Sequence, residues 1–181
     1  MPKTIAFLTS HEGIEQVELT KPWQAVLDAG ATPKLLATVA AGQTVQGFNH
    51  LDKADTFTVD TAVSDADVAD YDGLVLPGGA PNADVLRGDA DAVAFVKDWV
   101  AARKPVAAIC HAPWALVEAD VLGGKTLTSF PTLQTDIRNA GGTWVDQEVK
   151  VCPANDWTLV TSRNPDDIPA FNTELGKAFG L

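Results

Sequence analysis

The 181-residue sequence contains only two cysteines, Cys110 and Cys152. Two are too few for a disulfide framework, and they lack the Cys-x-x-Cys spacing of a metal or redox pair, so free thiols in a reducing compartment are expected. Basic residues are also scarce: 13 Lys and Arg against 24 Asp and Glu give a net charge of −11. That field repels phosphate backbones and anionic lipid, so neither nucleic acid nor a membrane surface is expected as a charge-driven partner. No apolar run approaches the roughly 18–20 residues that cross a bilayer. The opening Met1-Pro2-Lys3-Thr4-Ile5-Ala6-Phe7-Leu8 carries no cleavage-site pattern, which makes a cytoplasmic address the expectation. Internal repeats, low-complexity tracts and linkers are absent too. With 46% hydrophobic and 20% charged residues, the composition is that of a single globular domain over 1–181.

Short apolar runs alternate with amphipathic stretches. Lys3 to Thr9 reads as a strand, and Glu15 to Gly30 has Val17, Leu19, Trp23, Val26 and Leu27 at helical spacing. Thr32 to Thr38 reads as a second strand, and Gln43 to Asp60 as short strands or an extended excursion. Gly73-Leu74-Val75-Leu76, closed by Pro77-Gly78-Gly79, is expected of a strand buried on both faces that opens into a tight turn. A helix over Asp89 to Ala102, a strand over Pro105 to Ile109 and a helix from about Ala112 to Ala119 follow. The remaining elements are a helix near Leu133 to Ala140, strands near Glu148 to Val151 and Thr158 to Thr161, and a closing helix from about Asp166 to Phe179. This alternation predicts an α/β three-layer sandwich with a mostly parallel sheet and helices on both faces. Ligands in such folds bind outside the carboxyl ends of the strands. The segments that matter most are therefore Thr9 to Glu15, Pro77 to Asp84 and Ile109 to Trp114.

One residue with nucleophilic chemistry falls at such an end. In Ala108-Ile109-Cys110-His111-Ala112 a cysteine stands between a buried strand and a helix start, with small residues two before and two after it, as a nucleophile elbow requires. A sulfur at a helix N-terminus is expected to have a lowered thiol pKa. Gly78 and Gly79 could bring backbone N–H groups close to a developing oxyanion. Glu15, at the first strand-to-helix corner, could face the sulfur as a protonated carboxyl and donate to the thiolate. The histidines are His11, His50 and His111. None follows residue 111, so a Cys-His-acid triad in amidotransferase order is not available, and His111 is the first candidate for an imidazole base. His50 reads as a surface residue and Cys152 as a structural one.

Taken together, Gly13 to Leu19, Leu74 to Gly79, Ala108 to His111, Asn139 to Gly142 and Thr161 to Asp167 resemble the PfpI family of intracellular cysteine peptidases and stress proteins, within the DJ/PfpI superfamily of class I glutamine amidotransferase-like domains. Ala112 stands where that family usually has glycine. The resemblance implies a flavodoxin-like sandwich, Cys110 as nucleophile, His111 beside it and Glu15 as the acid touching the sulfur. It also implies a homo-oligomer, dimer or hexamer, in which an acid from a neighbouring subunit, matched here by Asp84, reaches His111. No cofactor or metal is implied. The activities it suggests are a cofactor-independent glyoxalase or a protein deglycase, a cysteine peptidase, or a chaperone-like stress protein. The corresponding partners are a small carbonyl substrate or a glycated or unfolded protein. A thiolate with a proton donor favours addition to reactive carbonyls. Oxidation of Cys110 to sulfinate, with Glu15 bonding the new oxygens, is the non-enzymatic alternative.

Overall fold

Residues 2–181 are described by the computed structural model. The strands, in chain order, are β1 (Thr4–Thr9), β2 (Glu12–Glu15), β3 (Thr32–Ala37), β4 (Thr44–Asn49), β5 (Asp52–Thr58), β6 (Thr61–Ala62), β7 (Gly73–Leu76), β8 (Val106–Ile109), β9 (Thr126–Leu127), β10 (Thr143–Trp144), β11 (Val149–Cys152) and β12 (Leu159–Ser162). The helices are α1 (Gln16–Asp28), α2 (Ala80–Arg87), α3 (Ala90–Ala101), α4 (Pro113–Glu118), α5 (Gln134–Asn139) and α6 (Ile168–Phe179).

Seven strands form the central sheet in the order β11-β12-β8-β7-β1-β3-β6. Every pairing in it is parallel except that of β11 with β12. Its apolar runs have no polar face because both faces are covered. Along β1, Ile5 and Phe7 enter one core while Ala6 and Leu8 enter the other. In β8, Val106 and Ala108 join the second of these cores and Ala107 and Ile109 the first. The five inner parallel strands run β12-β8-β7-β1-β3, the doubly wound order in which the chain reverses direction between β1 and β7. A crevice opens at that reversal, beyond the carboxyl ends of β1, β7 and β8.

The expected elements between Lys3 and Phe179 are present with shifts of a residue or two. Gln43 to Asp60 is the antiparallel hairpin β4–β5, which adds to β2 in a separate three-stranded sheet. The side chain of Gln16 clamps this hairpin to the start of α1: its Oε1 accepts from Asp55 N at 2.8 Å and its Nε2 donates to Asp55 Oδ2 at 2.8 Å. Strand β2 and helix α2 were not expected. Four residues with two glutamates carry too little alternation to read as a strand, and Ala80-Pro81-Asn82 opens α2 without an apolar stripe. The small sheet of β9 and β10 has two residues per strand and likewise escapes pattern reading.

Candidate active site

The chain turns at Cys110 in the left-handed region, at φ 63°. Side chains other than glycine and asparagine rarely adopt it, and such strain persists only where surrounding contacts impose it. Here the backbone is held on both sides: Cys110 N donates to Ser162 O at 3.0 Å, and its carbonyl accepts from Phe130 N at 2.8 Å. Ala108 and Ala112 are fully buried on either side of the turn. The elbow expected from the sequence is thus formed.

The carboxyl against the sulfur belongs to Glu18, which corrects the assignment to Glu15. Glu18 is fully buried; its carboxyl faces the Cys110 thiol and the Gly78 N–H, and neither oxygen has a partner at full hydrogen-bond geometry. The physical reason is helical phase. Glu18, Pro22 and Val26 are four residues apart and lie on the buried face of α1, whereas Glu15 precedes the helix at the end of β2. Glu15 instead takes the rim of the crevice, where its Oε2 accepts from His50 N at 3.2 Å and sits 3.9 Å from His50 Nδ1. An acidic residue on an otherwise buried helical stripe was the signal available in the sequence.

Burial, reinforced by the nearby Glu15 charge, pushes the Glu18 carboxyl up to about 8. The Cys110 thiol is also pushed up, by burial and then by the Glu18 charge. The expectation of a thiol made acidic by a helix terminus is therefore not met. The following helix, α4, has only six residues, and the groups that favour the thiolate are the N–H donors of Gly79 and His111. Two anions so close in a buried site are mutually unfavourable, so Glu18 and Cys110 hold at most one negative charge between them.

Of the two glycines expected to serve an oxyanion, Gly79 points its N–H at the sulfur. Gly78 does not: its N–H faces Glu18, and its carbonyl accepts from Glu15 N at 3.2 Å and Asn82 Nδ2 at 3.0 Å. Asn82 was not singled out in the sequence. It is fully buried and ties three segments together, with Nδ2 also donating to Pro77 O at 2.9 Å and Oδ1 accepting from Ser10 N at 2.8 Å. Truncating it would leave those buried groups unpaired. Asn82→Ala should therefore cost about 2–4 kcal/mol in urea denaturation, and a loss below about 0.5 kcal/mol would contradict this role.

His111 Nδ1 lies 3.1 Å from Cys110 Sγ. The ring stacks on Phe130 at 4.4 Å and meets the edge of Trp114 at 5.3 Å, and burial lowers its pKa, favouring neutral imidazole. Trp114 is fixed by donation from Nε1 to Asp136 Oδ2 at 2.7 Å. Asp84 lies on the exposed face of α2 and is not among the residues lining the crevice that holds His111. His50 is exposed as expected, yet it borders the crevice at the tip of the β4–β5 hairpin. His11 lies beside Glu12, outside it. Cys152 is buried and its Sγ accepts from Thr126 N at 3.3 Å, in keeping with a structural thiol. The crevice encloses about 860 Å³ above Cys110, with Glu18 at its floor and Glu15, His50 and Asp166 among its walls.

The model of the DJ-1/PfpI family matches residues 3–178. The chain belongs to this family. Among its relatives, "Protein/nucleic acid deglycase 2" of Escherichia coli is 41% identical over 180 residues, covering 99% of both chains. "Putative cysteine protease YraA" of Bacillus subtilis is 40% identical over 174 residues, covering 96% of each. Among solved structures, a two-domain protein of Anabaena variabilis with DJ-1/ThiJ/PfpI-like and ferritin-like domains superposes with a TM-score of 0.89 at 30% identity, covering 99% of this chain and 48% of that one. Drosophila melanogaster DJ-1beta gives a TM-score of 0.83 at 24% identity, covering 100% of this chain and 92% of the other, which speaks to the fold. No helix among the described residues is long and apolar enough to cross a membrane.

Proposed function

We propose that this chain is a cytoplasmic, stress-related, cysteine-dependent enzyme that acts on reactive dicarbonyls and their adducts, as a glyoxalase or a deglycase. The observation that carries this reading is the buried Cys110–Glu18 pair at the floor of an open crevice. In the glyoxalase course Cys110 passes its proton to the Glu18 carboxylate, and its sulfur adds to the aldehyde carbon of a dicarbonyl such as methylglyoxal. The carbonyl oxygen becomes an alkoxide, receives N–H bonds from Gly79 and His111 and takes a proton from Glu18, leaving a hemithioacetal. His111 then removes the remaining hydrogen of that carbon as a proton. The electron pair shifts through an enediol, and a proton returns to the adjacent carbon. The resulting thioester is hydrolysed by water, releasing lactate and the free thiol. One carbon is oxidised as its neighbour is reduced, so no outside oxidant is required. With an amine adduct, the new S–C bond replaces the C–N bond, and the thiol proton leaves with the amine.

His111 Nε2 has no hydrogen-bond partner among the described residues. The family resemblance suggests that a second copy supplies one through Asp84, which is exposed and free to do so. Peptide hydrolysis, the activity in the name of the Bacillus relative, needs an acid set to protonate a leaving amide nitrogen; Glu18 is buried against the sulfur, and His111 is unbraced at Nε2 in this chain alone. Freshly reduced protein should release lactate from methylglyoxal without added metal or cofactor, and lose that activity when Cys110 is alkylated, as located by mass spectrometry. Absence of lactate, or release that survives full Cys110 alkylation, would overturn the proposal.

A further inference from the structure

The crevice walls are electrically one-sided. Among the described residues, three carboxyl side chains, Glu15, Glu18 and Asp166, border it, and no lysine or arginine does. The nearest basic residue in sequence, Arg163, is fully engaged: Nε and the guanidinium Nη2 donate to Asp167 at 2.9 Å each, and Nη1 donates to Asp146 at 2.9 Å. Its side chain therefore cannot swing in to receive an anion without breaking a bidentate pair. Of the carboxyls, Glu18 is committed to the sulfur. At the rim, the hairpin tip occupies only Oε2 of Glu15; Oε1 has no partner among the described residues, and Asp166, also lining the crevice, is exposed. The protein as a whole carries −11, which adds to the same sign of field.

We propose that this pocket selects carbonyl adducts carried on the cationic guanidinium of arginine over adducts on anionic carriers such as nucleotides, and that Glu15 and Asp166 set this choice. The inference rests on the carbonyl-processing reading of the site. A guanidinium entering the crevice would turn its unmodified nitrogens to Glu15 Oε1 and Asp166 while the adduct carbon on its remaining nitrogen reaches Cys110. A phosphate in the same place would meet two carboxylates and no lysine or arginine. The prediction parts this chain from the printed name of its Escherichia coli relative, which includes nucleic acid.

The test compares preformed methylglyoxal adducts of Nα-acetyl-arginine amide, guanosine and guanosine 5′-monophosphate, together with free methylglyoxal. The two guanine carriers share one reacting group and differ only in the phosphate. At low ionic strength kcat/KM should fall in the order arginine, guanosine, monophosphate, with at least about tenfold between the last two, and added salt should narrow the gap. Glu15→Gln and Asp166→Asn should each narrow it as well. Asp65→Asn, an exposed charge removed from a distant 3₁₀ turn, should leave the ratio as in wild type, separating a local effect from that of net charge. Equal kcat/KM for guanosine and its monophosphate, or a gap unchanged in both rim variants, overturns the inference even if methylglyoxal is consumed. If no compound is turned over in a Cys110-dependent way, the reading of the site itself fails and the inference falls with it.

Discussion

Cys110→Ser should release lactate from methylglyoxal at least about a thousandfold more slowly than wild type, because a hydroxyl in the same place has no anion available near neutral pH. The substitution keeps shape and backbone, so its thermal stability should stay within about 1 kcal/mol of wild type, and a loss of folding would remove the inference from activity to chemistry. Glu18→Gln is the informative companion. An amide can donate a hydrogen bond to the sulfur but cannot supply a proton to an alkoxide, and a fall on the order of 100- to 1,000-fold is expected. The pH profiles should differ. In wild type the pair binds two protons at low pH and loses the first as pH rises through about 8, the value to which Glu18 is pushed. The singly charged pair includes the state with thiolate and protonated carboxyl, so kcat/KM should rise through that range. In Glu18→Gln this step disappears and the thiol titrates without its charged neighbour. A wild-type profile flat from pH 6 to 9 would contradict the shared proton.

The same pair predicts a stability effect of defined sign. A carboxyl raised from 4.5 to about 8 on folding keeps its proton in the native state after the unfolded chain has lost it. Stability therefore falls as pH climbs from about 4.5 to about 8 and levels off above that. The span is worth roughly 3–5 kcal/mol. Glu18→Gln, which has no charge to bury, should gain on wild type across this window in thermal melts, and parallel curves would show that the carboxyl is not held protonated.

Gly79→Ala should be strongly destabilising. Gly79 sits at φ 98°, and a Cβ there would run into the carbonyl oxygen of Gly13 and lie 2.7 Å from Glu15 N. Neither obstacle is the end of a flexible side chain; both are backbone of the β2 segment, so the clash cannot be relieved by a rotamer change. Backbone strain of about 1–3 kcal/mol adds to it. A loss of at least about 3 kcal/mol, or roughly 6–12 °C in Tm, is expected, together with displacement of the N–H aimed at the sulfur and hence a loss of activity. Gly30→Ala is the control: φ is 78° there too, but nothing lies within 4 Å of the added carbon. It should lose only about 1 kcal/mol. Equal Tm values for the two variants would show that the contact with Gly13 is not tight.

The sheet was readable because Leu74 to Leu76 and Val106 to Ile109 are apolar on both faces and end in turn formers, a pattern that only a doubly covered strand tolerates. The elbow was readable because residue types alone, alanine on either side of Cys-His, satisfy its steric demand. What escaped depends on phase and depth. Choosing between Glu15 and Glu18 requires knowing where α1 begins to the residue, since three positions separate a rim carboxyl from a buried one. Acidity of the thiol was misjudged because a helix terminus is visible in a sequence while desolvation is not. Asn82 was hidden for a related reason: its partners are main-chain atoms of Ser10, Pro77 and Gly78, which no residue pattern advertises.

The two peptide groups flanking Cys110 are each tethered to a neighbouring segment, so the conformation at this position is dictated from outside and owes nothing to sulfur. A thiol, a hydroxyl or a selenol would ride the same scaffold at the same height. Reactivity can thus be exchanged here like a tool in a fixed holder, and a family built on this corner can diversify its chemistry while leaving its architecture untouched.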